Sequence, residues 1–86
     1  MLYTVYILKT SGNTLYTGIS NNLERRLNEH RNHTKKSAKY MRSFESFELV
    51  YTEKVDSKSD ALKREFEIKN LTRKQKDSLI KTYVGI

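Results

Sequence analysis

The chain has 86 residues and no cysteine, so we expect one domain over residues 1–86, with neither a disulfide framework nor a thiolate metal site. Seventeen Lys and Arg against ten Asp and Glu give a formal net charge of +7, which favours a polyanionic partner such as nucleic acid over an acidic protein surface or a neutral metabolite. Cysteine-free composition, the absence of a basic leader and the lack of any run near about 18 apolar residues indicate a cytoplasmic protein without a membrane partner.

Two short strands open the chain. Residues 2–9 alternate and are rich in Tyr, Val and Ile, which predicts a strand with Tyr6 and its i±2 neighbours on one face. Residues 11–13 are Ser-Gly-Asn and predict a turn. Residues 14–17 then form a second strand, antiparallel because the connection is too short for a crossover, and we expect it to end at Gly18.

A helix follows over residues 22–31. Asn21 has a glutamate three residues further on, which resembles a capping box, and leucines recur at helical spacing. Arg26 and His30 lie one turn apart beside this apolar seam, whereas Glu29 faces further out. We therefore expect Arg26 to lean over the sheet.

The next segment is strongly basic. Residues 31–43 contain five Lys and Arg and no acid. Five residues of this segment suit phosphate contacts with one stacking aromatic ring, and we predict them as nucleic-acid contacts: Lys35, Lys36, Lys39, Tyr40 and Arg42. Their order favours contact with the backbone rather than base recognition. The plain alternative is a solvated loop that serves only solubility.

The second half of the chain predicts a strand and two helices. Residues 47–54 alternate, which places Phe47, Leu49 and Tyr51 on one face of a third strand. A helix is predicted from Ser57 to about residue 70, and a last helix follows a second capping box in which Thr72 pairs with a glutamine. The fold class is therefore α+β, with a small three-stranded antiparallel sheet flanked by helices in the order β-β-α-β-α-α.

The first of these two helices carries a carboxylate in an unusual place. On a helical projection an apolar arc runs from Ile68 and Ala61 to Leu62 and Phe66, and Glu65 falls inside that arc. A carboxylate there needs a partner. Glu67 projects to the opposite side and is expected to face water.

Five sequence elements now stand in a recognisable order: Thr4-Val5-Tyr6, Tyr16-Thr17-Gly18, Leu23 followed by Arg26, His30, and Ala61-Leu62 followed by Glu65. Together they resemble the GIY-YIG nuclease domain over nearly the whole chain, and are most similar to its small stand-alone bacterial members. Two positions depart from the motif that names the family, since Thr4 replaces its glycine and Thr17 its isoleucine. Both tyrosines and Gly18 remain in place.

The resemblance implies metal-dependent hydrolysis of DNA phosphodiester bonds, with five catalytic candidates: Tyr6, Tyr16, Arg26, His30 and Glu65. Glu65 would bind one Mg²⁺, or Mn²⁺ in its place, because such ions prefer oxygen ligands and retain waters. Arg26 would hold the scissile phosphate through its forked guanidinium. Either tyrosine would orient or deprotonate the attacking water, although a free phenol with a pKa of about 10 is a poor base at neutral pH.

Each assignment has a structural alternative. The two tyrosines also suit an ordinary amphipathic strand. Arg26 has possible partners in Asn22 and Glu29 on its own helix, and Glu65 has one in Lys69, four residues on. His30 is either a second proton shuttle or a polar residue at the edge of the sheet.

Three classes of function follow. The first is a structure-selective or weakly sequence-specific endonuclease in DNA repair or processing, because no helix shows the residue pattern of major-groove readout. The second is a catalytically silent nucleic-acid-binding module, which only a test of magnesium-dependent cleavage separates from the first. The third is a protein-interaction domain. The small size suggests that a protein partner or a second copy supplies targeting.

Overall fold

A computed structural model describes residues 2–31 and 46–83. It contains six elements, in chain order β1 (Tyr3–Thr10), β2 (Leu15–Ser20), α1 (Leu23–Arg31), β3 (Phe47–Val55), α2 (Lys58–Lys69) and α3 (Arg73–Lys81). The predicted α+β class and the order β-β-α-β-α-α are confirmed. Five predicted nucleic-acid contacts lie outside the described residues: Lys35, Lys36, Lys39, Tyr40 and Arg42.

The three strands form one antiparallel sheet in the order β2-β1-β3, so β1 is central and β2 is an edge strand. The β1–β2 turn is closed by a hydrogen bond from the Thr10 N–H to the Thr14 carbonyl (2.9 Å), and Asn13 adopts a φ of 60°, which asparagine tolerates better than most residues. The expected end of β2 at Gly18 is wrong. The strand continues to Ser20 because the pairing with β1 continues through Ile19.

The sheet is covered on both faces. On one face Val5 and Ile7 pack with Ala61 and Ile68 of α2, and with half-buried residues of α3. On the other face a second cluster joins Tyr6, Leu8, Leu27, Tyr16, Leu23, Phe47 and Leu49. The strict alternation of β1 thus separates the two cores, as predicted, and puts α1 on the face opposite α2 and α3.

The predicted common face for Phe47, Leu49 and Tyr51 is wrong. Ile7 pairs with Tyr51 and Leu8 pairs with Leu49, so Val50 is an extra residue in β3 and forms a bulge. A bulge shifts the alternation by one residue. Phe47 and Leu49 consequently pack in the core beside α1, while Tyr51 packs in the core beside α2.

Helix α2 is capped as predicted, but only one end of the predicted apolar arc is buried. The Ser57 side chain accepts a hydrogen bond from the Asp60 N–H (3.1 Å). Leu62 and Phe66, expected in the apolar arc, are 47% and 70% exposed, whereas Ala61 and Ile68 are fully buried. The small alanine at the contact lets the helix approach the sheet closely, and this rotation turns the Glu65 side of the helix inward.

Two further helix ends are defined by side chains. Helix α1 is capped by Asn22, one residue later than expected, whose side-chain oxygen accepts from the Arg25 N–H (3.1 Å). Helix α3 has the predicted capping box between Thr72 and Gln75. Among the described residues, no helix has the length and apolar character needed to cross a membrane.

Candidate active site

The side chain of Tyr6 extends from the central strand β1 over the edge strand β2. It pairs with Gly18 of β2, and a methyl group at Gly18 would lie 2.6 Å from the Tyr6 phenol oxygen and 2.7 Å from the ring carbon that carries it. Only glycine leaves this space, so the phenol lies directly over the β2 backbone. Tyr6 is 1% exposed. Gly18 therefore has a structural role that its place in the sequence did not reveal, because it leaves space for the buried Tyr6 ring.

Replacing Gly18 with alanine should displace the Tyr6 ring. We expect the free energy of unfolding to fall by about 1–3 kcal/mol, the usual cost of overpacking, and urea denaturation measures it. Gly12→Ala in the exposed hairpin turn is the matched control, because no described glycine has a positive φ and this substitution meets no buried ring. Equal losses in the two variants would show that the phenol does not depend on the space above Gly18.

Helix α1 brings Arg26 and His30 to this phenol. The Tyr6 oxygen lies 3.3 Å from His30 Nε2, and the Arg26 guanidinium is close enough to hydrogen-bond the same oxygen. Because a guanidinium can only donate, the phenol oxygen accepts from Arg26 and its own proton is available to His30. Arg26 also donates to Glu29 (3.1 Å). A hydrogen-bonded chain thus runs from Glu29 through Arg26 and Tyr6 to His30.

Burial has the largest effect on the pKa values of Tyr6 and His30 in this hydrogen-bonded network. It raises the pKa of Tyr6 to about 12, with a further increase from the Tyr16 phenol and a partial decrease from the adjacent Arg26 guanidinium. Burial and the positive charge of Arg26 lower the pKa of His30 to about 4. At neutral pH the phenol is therefore protonated and the imidazole neutral. Burial alone would lower the pKa of Arg26, but hydrogen bonds to Glu29 and Tyr6 outweigh it and raise that pKa.

His30 is fully buried, which contradicts one of its two alternatives, the polar residue at the sheet edge. Its burial predicts an acid sensitivity of the fold. The pKa of His30 falls from 6.5 to about 4 on folding. Between these pH values His30 is therefore protonated in the unfolded chain but not in the folded chain. Above pH 6.5 the titration of His30 leaves the free energy of unfolding unchanged. As the pH falls towards 4, it lowers the free energy of unfolding by about 3 kcal/mol.

His30→Gln tests this prediction, because a glutamine amide can occupy the position of Nε2 without titrating. The unfolding free energy of the wild type minus that of His30→Gln is measured by urea denaturation. We expect this difference to fall by most of the about 3 kcal/mol between pH 7 and pH 4.5. Both proteins share every other titrating group, so their difference isolates His30. Parallel pH profiles would mean that the imidazole is not held neutral.

Tyr16 completes the aromatic part of the site. Its ring centroid lies 6.4 Å from that of Tyr6 and 5.7 Å from that of His30, the latter in an edge-on arrangement. Unlike Tyr6, it is half-buried rather than sealed. The two predicted tyrosines therefore converge, but only Tyr16 has a solvent-accessible surface large enough to meet a ligand directly.

Glu65 reaches the same region from the opposite face of the sheet. Helix α2 packs against β2 and β1, and the Glu65 carboxylate is near enough to Tyr6 to contribute to the upward shift of that phenol's pKa. The side chain is 21% exposed and forms the anticipated ion pair with Lys69 (3.5 Å). Glu67, two residues further along α2, is 63% exposed as predicted. The site therefore wraps around the edge strand β2, with α1 on one side and α2 on the other.

Glu65 is the carboxylate of this site that was expected to bind a metal ion. Among residues 2–31 and 46–83, no three His, Cys, Asp or Glu side chains converge as a metal cluster. Glu65 retains solvent access, which is compatible with an ion that keeps most of its waters, as Mg²⁺ does. The residues present thus fit a hydrated Mg²⁺ better than a fully caged metal.

Comparison with known proteins identifies the family of the chain. The GIY-YIG catalytic domain matches residues 2–78. The chain belongs to the GIY-YIG family. This family is one of nucleases, which act on nucleic acids and generally depend on a divalent metal. The resemblance predicted from the motif order is thereby confirmed.

Small stand-alone relatives of this GIY-YIG chain cover almost its full length. A UPF0213 protein of Natronomonas pharaonis is 47% identical over 81 residues, covering 94% of this chain and 93% of its own. A UPF0213 protein of Syntrophus aciditrophicus is 52% identical over 77 residues, covering 90% and 87%. The solution structure of a UPF0213 protein of Bacillus halodurans has a TM-score of 0.63 at 36% identity and covers 99% of this chain and 88% of its own. Those names state no activity.

Proposed function

We propose that this chain is a metal-dependent endonuclease that hydrolyses DNA phosphodiester bonds, with structure-selective or weak sequence preference, in DNA repair or processing. The observation that carries the proposal is the convergence of two phenols, one guanidinium and one carboxylate around β2: Tyr6, Tyr16, Arg26 and Glu65. Membership of a nuclease family and the net charge of +7 support it.

Arg26 has the role of phosphate clamp in this proposal. Its guanidinium is fixed between Glu29 and Tyr6, so little conformational freedom is lost when a phosphate arrives. A permanently charged, forked donor suits the two non-bridging oxygens of a phosphodiester and the negative charge that grows on them. Tyr6 stays protonated and serves as a support for Arg26, not as the base.

Tyr16 orients the attacking water, whose oxygen forms the new bond to phosphorus as the bond to the leaving oxygen breaks. Tyr16 is less buried than Tyr6, which favours Tyr16 for this role. We expect Tyr16→Phe to lower the cleavage rate about tenfold, the worth of one hydrogen bond, and Tyr6→Phe to lower it less. Single-turnover kinetics of both variants decide between the two phenols. A larger loss for Tyr6→Phe would transfer the role to Tyr6.

Glu65 would hold the divalent ion. When bound, that ion supplies positive charge to stabilise the leaving oxygen. Lys69, which pairs with the Glu65 carboxylate, competes only weakly with the ion, because such exposed pairs contribute about 0–1 kcal/mol.

End-labelled single-stranded, duplex, flap and junction DNA, together with an RNA strand, test the proposal. We expect the pure protein to cleave at least one of them only in the presence of Mg²⁺ or Mn²⁺, and a branched substrate faster than a plain duplex. Salt-sensitive binding of all substrates without any product would identify a silent nucleic-acid-binding module instead. No salt-dependent binding at all would favour a protein-interaction domain.

A further inference from the structure

A groove adjoins the site at the beginning of α1. It has a volume of about 510 Å³, within the range of nucleotide-sized pockets, and Tyr3 and Ile19 form its apolar part. Three cations line it, Arg25 and Arg26 from α1 and Lys58 from the first turn of α2. The groove therefore lies between the two helices that flank the edge strand.

Its charge balance favours an anion. One carboxylate, Glu29, also lines the groove, which leaves three positive charges against one negative. Glu29 is engaged by Arg26 at 3.1 Å, so the excess positive charge belongs to Arg25 and Lys58. Within the described part of the chain, neither of these two side chains takes part in an ion pair or side-chain hydrogen bond.

The groove is continuous with the candidate active site through a single side chain. Arg26 lines the groove and also lies against the Tyr6 phenol. A strand whose scissile phosphate lies on Arg26 therefore has its next nucleotide at the mouth of the groove. Cations for a phosphate and an aromatic surface for a base or sugar are the combination that single nucleic-acid strands bind.

We propose that this groove binds the nucleotide adjoining the scissile phosphate, with Arg25 and Lys58 on that nucleotide's phosphate and Tyr3 against its base or sugar. The proposal rests on the phosphate-binding role of Arg26 given above. It assigns a subsite to residues that lie outside the five catalytic candidates. Because the groove adjoins Arg26 at the beginning of α1, we expect the nucleotides on the two sides of the scissile phosphate to be bound differently.

Methylphosphonate substitution tests the subsite, because it removes the charge of one chosen phosphate. We expect neutralisation of one phosphate next to the cleaved bond to weaken binding and kcat/KM roughly tenfold in the wild type, and neutralisation of the phosphate on the other side to have a smaller effect. In the Arg25→Gln, Lys58→Gln double variant this penalty should disappear. The slope of log affinity against log salt should also fall by about one.

Lys63→Gln is the matched control, because Lys63 is exposed on α2 and does not line the groove. It should retain the full penalty. A penalty that persists in the double variant, or the absence of a sensitive neighbouring phosphate, would overturn the subsite while leaving the nuclease proposal intact. If no substrate is cleaved, the same oligonucleotides are compared by affinity alone. A penalty that only the double variant loses then retains the groove and removes the nuclease proposal.

Discussion

Arg26→Ala should reduce Mg²⁺-dependent cleavage by about a hundredfold or more, the typical loss when one preorganised electrostatic contact to a reacting group is removed. The effect should fall mainly on kcat, because charge on the phosphate oxygens grows in the transition state. Single-turnover rates at saturating protein measure it. Arg26→Lys should recover only part of the loss, since an ammonium keeps the charge but not the forked geometry that bridges Glu29 and Tyr6.

Arg73→Ala is the control for this prediction. Arg73 is a half-exposed arginine of α3 that pairs with Asp77, so it matches the change without touching the site. Circular dichroism and thermal unfolding establish that each variant is folded, because Arg26→Ala also removes the partner of Glu29. Equal losses in the Arg26 and Arg73 variants would remove Arg26 from the proposed chemistry.

Glu65→Gln should abolish the response to Mg²⁺. The substitution keeps the shape of the side chain and removes the charge that attracts the cation, so we expect a loss of about a hundredfold or more at low millimolar Mg²⁺. Loss of the Lys69 ion pair should change stability by less than about 1 kcal/mol. A magnesium titration of the cleavage rate makes the measurement, and higher Mg²⁺ should restore little of the rate.

Glu67→Gln is the matched control for Glu65. It lies two residues away on the same helix, is well exposed, and has its own ion-pair partner in Arg64 at 3.6 Å. Its magnesium titration should superimpose on that of the wild type. An unchanged titration for Glu65→Gln would mean that the ion is held elsewhere.

Much of the site could be predicted because short-range periodicity placed its parts. Alternation in β1 put Tyr6 on the α1 face, and helical spacing in α1 put Arg26 and His30 on the side facing that tyrosine. The capping residues Ser57 and Thr72 fixed the starts of α2 and α3. These features depend on residues a few positions apart, where local geometry decides.

Features that depend on tertiary contacts could not be predicted. The extra residue Val50 in β3 has no local signal, and it moved Tyr51 to the other core. The rotation of α2 exposed Leu62 and Phe66 because close approach at Ala61 and Ile68 outweighed the burial of two larger side chains. Glu65 lies beside the Ala61 and Ile68 end of the predicted arc, which is buried, whereas the Leu62 and Phe66 end is exposed.

An ion pair between α2 and β3 holds the helix in this rotation. The Nε–H of Arg64 is shared between both carboxylate oxygens of Glu53 on β3, at 3.2 and 3.0 Å, and the Tyr51 hydroxyl donates to the same carboxylate at 2.7 Å. Such charge-assisted hydrogen bonds are stronger than those between neutral groups. Residues far apart in the sequence thus determine which side of α2 meets β2.

We propose that one site around β2 hydrolyses phosphodiester bonds with a divalent cation. Its most direct test is the initial cleavage rate of an end-labelled branched DNA by wild-type and Glu65→Gln proteins prepared side by side, with and without Mg²⁺. We expect product from the wild type only with Mg²⁺, and a rate at least about a hundredfold lower for the variant. Equal rates from both proteins, or no product from the wild type under any condition, would contradict it.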